Sequence, residues 1–151
     1  MTPFSITPFK LADLSALLRL ERAIFPEDTS GMAEFLSLYL RGKDTFLVAR
    51  EERRVVGYVA AYADGETAYI ASVAVDPAFR GRGLGRLLME TVMLTFVGAG
   101  VAAIGLHVRE DNLAAIRLYE SLGFVTLERL ADYYEDGANG LYMERASVPT
   151  S

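Results

Sequence analysis

The run Val73-Ala74-Val75-Asp76-Pro77-Ala78-Phe79-Arg80-Gly81-Arg82-Gly83-Leu84-Gly85 carries the strongest chemical signal in the chain. It opens as an apolar strand, breaks at Asp76-Pro77, passes through three glycines and turns helical at Leu84. Glycine lets backbone N–H groups converge closely on a ligand, and a helix N-terminus carries a partial positive charge. Arg80, Arg82 and Arg86 add full charges around the same turn. These residue types at this spacing suit a phosphate or pyrophosphate. Judged on the turn alone, a glycine-rich loop with solvated arginines is the competing reading.

Composition bounds the other chemistries. A chain of 151 residues, 52% hydrophobic and 11% aromatic, predicts one globular domain with a real core. The absence of cysteine excludes disulfides, thiolate metal sites and a cysteine nucleophile. His107 is the only histidine, which rules out a multi-histidine metal site, and no carboxylate spacing supports magnesium or calcium. Fifteen basic against twenty acidic residues give a net charge of −5, which argues against wholesale nucleic-acid binding. No apolar run approaches a membrane span, and Met1-Thr2-Pro3-Phe4 lacks the basic start and apolar core of a signal peptide. A cytoplasmic protein without a membrane partner is the expectation.

The elements that must position the glycine turn can be read in order. Phe4 to Phe9 reads as a short first strand, with Pro3 and Pro8 suited only to an edge or an end. Asp13 is expected to cap a helix that places Leu14, Leu17, Leu18 and Ile24 on one face and stops before Pro26. A loop from Pro26 to Gly31 follows, with Thr29 or Ser30 capping a second helix that carries Phe35, Leu36, Leu38, Tyr39 and Leu40. Thr45 to Arg50, a charged turn at Glu51-Glu52-Arg53, and Val55 to Ala63 form a hairpin signature. Asp64-Gly65 turns tightly into Thr67 to Val75, which makes an antiparallel meander. The helix from Leu84 to about Val97 is expected to point Leu87, Leu88, Val92 and Leu94 or Phe96 inward, with Gly98 or Gly100 closing it. Ala102 to Val108 is strand-like, and parallel to Thr67–Val75 if the two are adjacent. Asn112 caps a helix ended by Gly123, and strands follow at Phe124–Leu130 and Leu141–Glu144, separated by a polar loop with Tyr133-Tyr134. The predicted order is β-α-α-β-β-β-α-β-α-β-β. It describes a mixed α/β (α+β) fold of about seven largely antiparallel strands and about four helices, one domain over residues 1–145 with a tail at 146–151.

Three glycine-turn families compete for the central run. A Walker A loop requires Gly-Lys-Ser/Thr, and Gly85 is followed by Arg86-Leu87. A dinucleotide fold requires its glycines after the first strand of an alternating series, with an acidic residue about twenty positions on, and neither condition holds. The third alternative fits. Arg80-x-x-Gly83-x-Gly85, entered through Val73-Ala74-Val75-Asp76-Pro77, resembles the pyrophosphate-binding motif of the GNAT superfamily of acyl-CoA-dependent N-acetyltransferases. A second block, Val108-Arg109-Glu110-Asp111-Asn112 through Leu118-Tyr119-Glu120-Ser121-Leu122-Gly123-Phe124, resembles the family's Asn…Ala…Tyr…Gly-Phe segment. Together the blocks cover about Thr67 to Phe124.

The resemblance implies acetyl-CoA as co-substrate. It implies that backbone amides of Arg80, Gly81, Arg82, Gly83, Leu84, Gly85 and Arg86 hold its pyrophosphate. The main chain of Val73, Ala74 and Val75 would pair with the pantetheine arm as an added strand. Asn112 would contact the cofactor while capping its helix, with the cap alone as the competing role. Tyr119 matches the family tyrosine beside the sulfur, the general acid for the departing thiolate, with simple ring packing as its alternative.

Within the family, the second block is most similar to the bacterial ribosomal-protein alanine N-acetyltransferases, which modify protein N-termini. The chain departs from that group at His107, where those enzymes carry a glutamate proposed as general base. Leu106-His107-Val108-Arg109 instead resembles eukaryotic N-terminal relatives. Imidazole could serve as the base, directly or through water, and a purely structural histidine stays open. Tyr133 and Tyr134 are candidate substrate-gripping residues, or an aromatic cover for the sheet edge. The expected reaction is acetyl transfer to a protein or peptide α-amine in a ternary complex. Acetylation of a small-molecule amine and a non-catalytic acyl-CoA-binding module remain as alternatives. Family dimers formed through the last strands leave a homodimer open.

Overall fold

A computed structural model describes residues 4–24 and 31–146. Seven strands form one sheet: β1 (Ser5–Pro8), β2 (Phe46–Glu51), β3 (Arg54–Asp64), β4 (Thr67–Val75), β5 (Ala103–Arg109), β6 (Val125–Leu130) and β7 (Gly140–Ala146). The helices are α1 (Leu14–Ile24), α2 (Gly31–Arg41), α3 (Leu84–Gly98) and α4 (Leu113–Ser121). This reproduces the element order read from the sequence, with three short 3-10 turns added. Thr29 and Ser30, the expected caps of α2, lie outside the described residues, as does the tail beyond Ala146.

The sheet order is β1-β2-β3-β4-β5-β7-β6. β4 and β5 are parallel and every other neighbouring pair is antiparallel. The α3 crossover places β5 beside β4 as expected, whereas the last strand slots between β5 and β6.

Each face of the sheet has its own core. On one face α3 buries Leu84, Leu88, Met89, Val92, Met93 and Phe96 against β2 to β5. On the other, Leu17 and Leu20 of α1 and Phe35 and Leu38 of α2 pack on Phe9, Phe46, Tyr58 and Ala74. Burying one such side chain contributes roughly 1.5–3 kcal/mol, so α3, with six buried residues, is the main anchor of the fold. One inward assignment on α3 needs correction, because Leu87 is exposed, and of the alternatives Leu94 and Phe96 it is Phe96 that is buried while Leu94 is exposed. The helix is apolar nearly all round, and periodicity alone does not pick its buried face. Leu40 on α2 is likewise exposed.

Asp13 also differs from its expected role. It ends a 3-10 turn, Leu11–Asp13, that runs into α1. Its carboxylate turns back to accept the Lys10 N–H at 2.9 Å and to pair with Arg50 at 2.8 Å. These partners hold its pKa below the ordinary value although burial opposes them.

The feature that opens the molecule lies in β4. Ala60 pairs with Ser72 and Ala61 with Ile70, which leaves Ala71 as an extra residue, a β-bulge. Pairing of β4 with β5 stops at Ile70↔Leu106, while pairing with β3 continues to Gly57↔Val75. Beyond the bulge β4 therefore diverges from β5, and Val73–Val75 keeps a strand partner only on its β3 side.

Candidate active site

The end of β4, the glycine turn and α4 enclose a cleft of about 610 Å³. Val73, Ala74, Val75, Arg80, Gly81, Gly83, Leu84, Gly85, Arg86, Asn112 and Tyr119 all line it, joined by Ile24 of α1. Arg82 does not. Its guanidinium pairs with Glu51 at 3.0 Å and lies over the rings of Phe4 and Phe79 at 4.8 and 5.3 Å.

Local chemistry explains the shape of the turn. Asp76 Oδ1 accepts the Ala78 N–H at 2.9 Å and caps the turn Pro77–Phe79. Gly81 and Gly83 then take φ of +79° and +78°, a region that disfavours any side chain. Gly83 is the N-cap of α3, with no side-chain capping bond and no acidic residue in the first helical turn. The first N–H groups of a helix lack intrahelical acceptors. Here the residues that carry them, Leu84, Gly85 and Arg86, line a cleft with Arg80 also on its wall, which suits a pyrophosphate. Arg86 also donates to Ser121 Oγ and so clasps α3 to α4. Asn112 lines the cleft and caps α4 at once, accepting the Ala115 N–H at 3.2 Å.

Tyr119 is a buried member of this lining, its ring centroid 6.1 Å from that of Phe124. Burial, with Tyr134 nearby, pushes its phenol up to about 12. Its proton therefore stays in place throughout the neutral range.

His107 is not part of the cleft lining. It sits on β5 just past the last β4–β5 pair, among aromatic residues. Its ring stacks on Tyr133 with centroids 4.9 Å apart and planes 9° apart, and Tyr142 lies at 5.1 Å. Its Nδ1 is 2.6 Å from Tyr69 Oη, and burial lowers its pKa while Glu128 opposes the shift. Burial raises the Tyr69 phenol well above its ordinary value, so Tyr69 keeps its proton. Tyr134 packs edge-on against Tyr133 and under Arg109, which also holds Asp136 of the same loop. Tyr133 and Tyr134 thus belong to a tied aromatic loop beside His107. Tyr69 and Tyr142 are additions that sequence reasoning missed. Gly105 makes room for Tyr142, since a Cβ there would collide with its hydroxyl.

The profile of the acetyltransferase (GNAT) family matches residues 13–124. The chain belongs to the GNAT acetyltransferase family. This GNAT protein is an acyltransferase with acetyl-CoA as co-substrate. It is 33% identical over 151 residues to an N-alpha-acetyltransferase of Mycobacterium tuberculosis, covering 96% of this chain and 94% of that protein. It is 45% identical over 69 residues to the ribosomal protein bS18-alanine N-acetyltransferase of Salmonella typhimurium, a match spanning 46% of this chain and 47% of that one. Among solved structures, Ard1 from Thermoplasma volcanium superposes with a TM-score of 0.91 at 28% identity, covering 97% of this chain and 99% of that one. Among the described residues of this GNAT domain no helix is long and apolar enough to cross a membrane, and no cluster of metal-ligating side chains forms.

Proposed function

We propose that this GNAT enzyme acetylates the α-amine of a protein or peptide N-terminus, by direct attack in a ternary complex. The observation that carries the reading is the 2.6 Å contact between Tyr69 Oη and His107 Nδ1, under the Tyr133 ring and next to the diverging strands. The relatives named for N-terminal acetylation support it.

Acetyl-CoA brings an activated thioester, and the new C–N bond forms as the C–S bond breaks. The chain must hold that co-substrate, remove a proton from the amine, stabilise charge on the carbonyl oxygen and satisfy the leaving sulfur. Uncapped amides of the Arg80–Arg86 turn hold the pyrophosphate, and the open edge of Val73–Val75 holds the arm. The Val73 N–H donates to the oxygen where negative charge collects. Tyr69 Oη takes the amine proton as it hands its own to His107 Nδ1, leaving a neutral nucleophile and an imidazolium. A lowered pKa keeps His107 neutral and receptive at pH 7. Tyr119 donates to the departing sulfur. A phenol near 12 is a weaker acid than a thiol near 8.5, so it stabilises the thiolate by hydrogen bonding more than by complete transfer. Tyr133 and Tyr134 close over the first residues of the acceptor.

The test is CoA release from acetyl-CoA with a panel of N-terminal peptides beside a panel of small amines. Turnover is expected with peptides. Turnover confined to polyamines, amino acids or antibiotics would replace the acceptor class, and cofactor binding without turnover would make the domain a regulatory module.

A further inference from the structure

Glu21, Tyr58 and Ser72 form a hydrogen-bonded chain that no step above uses. Glu21 on α1 and Tyr58 on β3 are both buried. Tyr58 Oη donates to Glu21 Oε2 and lies 2.9 Å from Ser72 Oγ. Its two ends meet the site's two walls. Ser72 follows the bulge residue Ala71 and precedes Val73, where the open edge begins. Glu21 lies one helical turn before Ile24, which lines the cleft.

Apolar residues would fill this volume at lower desolvation cost, because a buried carboxylate and hydroxyl lose water that their mutual bonds only partly replace. What the polar chain adds is direction. A bulge interrupts the ladder that normally fixes a strand, so its register depends on other contacts. Tyr58 supplies one that apolar packing does not: its Oη, with its one proton given to Glu21, accepts a directed bond from the Ser72 hydroxyl on the neighbouring strand. The Tyr58 hydroxyl is a durable donor, since burial and the carboxylates of Glu21 and, from α2, Glu34 push its pKa well up.

We propose that Glu21 and Tyr58 are positioning residues that act through Ser72, holding the β4 bulge in the register that offers Val73–Val75 to the co-substrate and aims the Val73 N–H. The proposal rests on the reading of that edge as the seat of the pantetheine arm and the oxyanion donor.

Tyr58→Phe keeps the ring in its packing against Phe35 and Phe46 and removes only the hydroxyl. Its kcat should fall about tenfold, a size expected when reacting groups are slightly misplaced. Affinity for 3′-phospho-ADP, a probe of the glycine turn alone, should hold within about twofold, because the two regions share no partner. Ser72→Ala should behave alike, and the double variant should be little worse than either single one. Glu21→Gln, whose amide oxygen still accepts the Tyr58 hydroxyl, should restore most of what Glu21→Leu loses. An unchanged kcat in Tyr58→Phe overturns the proposal, as does a parallel loss of 3′-phospho-ADP affinity, which would mean general loosening. Failure of the unmodified protein to bind 3′-phospho-ADP would instead refute the placement of the pyrophosphate, and the kcat comparison would still stand.

Discussion

The proposed proton path turns on two groups whose environments differ. His107 is surrounded by rings and has its pKa lowered by burial, with Glu128 as the opposing influence. As a proton acceptor it works only when neutral. Full activity is therefore expected above its folded pKa, and loss is expected as pH falls through a value below 6.5. A pH profile of kcat/KM with a peptide acceptor should show that acid limb, superposed on ionisation of the peptide amine. His107→Ala should lower the plateau by roughly 10²-fold, in the range for a general base, and erase the limb. A profile identical to that of the unmodified enzyme would remove His107 from the proton path. Tyr119 is shifted the other way, a phenol made harder to ionise by burial, in keeping with the proposed role of a group that keeps its proton and hydrogen-bonds the leaving sulfur. The sequence singled out His107 and Tyr119 as candidates through the motifs around them. It hid Tyr69, because the contact joins strands 38 residues apart and Tyr69 sits in a run that reads as ordinary strand.

At the scale of elements, the glycine turn is both the most legible and the most constrained part. Its legibility comes from backbone chemistry, since Pro, Gly and a following apolar helix punctuate any sequence. Gly83 tests whether conformation or space matters there. A Cβ at this position would meet no atom within 4 Å, yet φ is +78°. Gly83→Val should leave the fold intact and weaken acetyl-CoA binding at least tenfold, on the order of the 1–3 kcal/mol of strain at such backbone angles. Titration calorimetry reads this directly, and undiminished affinity would contradict the pyrophosphate seat. Bulge and strand insertion were not legible. An extra residue at Ala71 leaves no compositional mark, and the slot of β7 between β5 and β6 is a long-range choice with no local signal. The buried face of α3 was only partly legible, because the helix offers apolar residues on every side.

For the whole molecule, the two cores are joined through one sheet whose centre is split. Each core packs its own helices, while the cleft between β4 and β5 lacks strand pairing beyond Ile70. A ligand filling that gap should stabilise the whole fold. At 100 times its Kd, acetyl-CoA contributes about 2.7 kcal/mol, which for a domain of this size raises Tm by roughly 5–10 °C. Thermal denaturation with and without acetyl-CoA measures it. An unmoved Tm at saturating ligand would mean that the cofactor does not engage the folded state.

The halt in pairing at Ile70 bears on the tempo of turnover. In the mechanism proposed above, the arm of the co-substrate serves as the missing neighbour of β4, so the sheet is whole only while substrate or product occupies it. Each catalytic cycle then closes and reopens a seam in the middle of the protein, and departure of spent CoA is an unzipping event. A protein that borrows a strand from what it consumes cannot make that strand bind too well, because every improvement in the seam would slow its own clock.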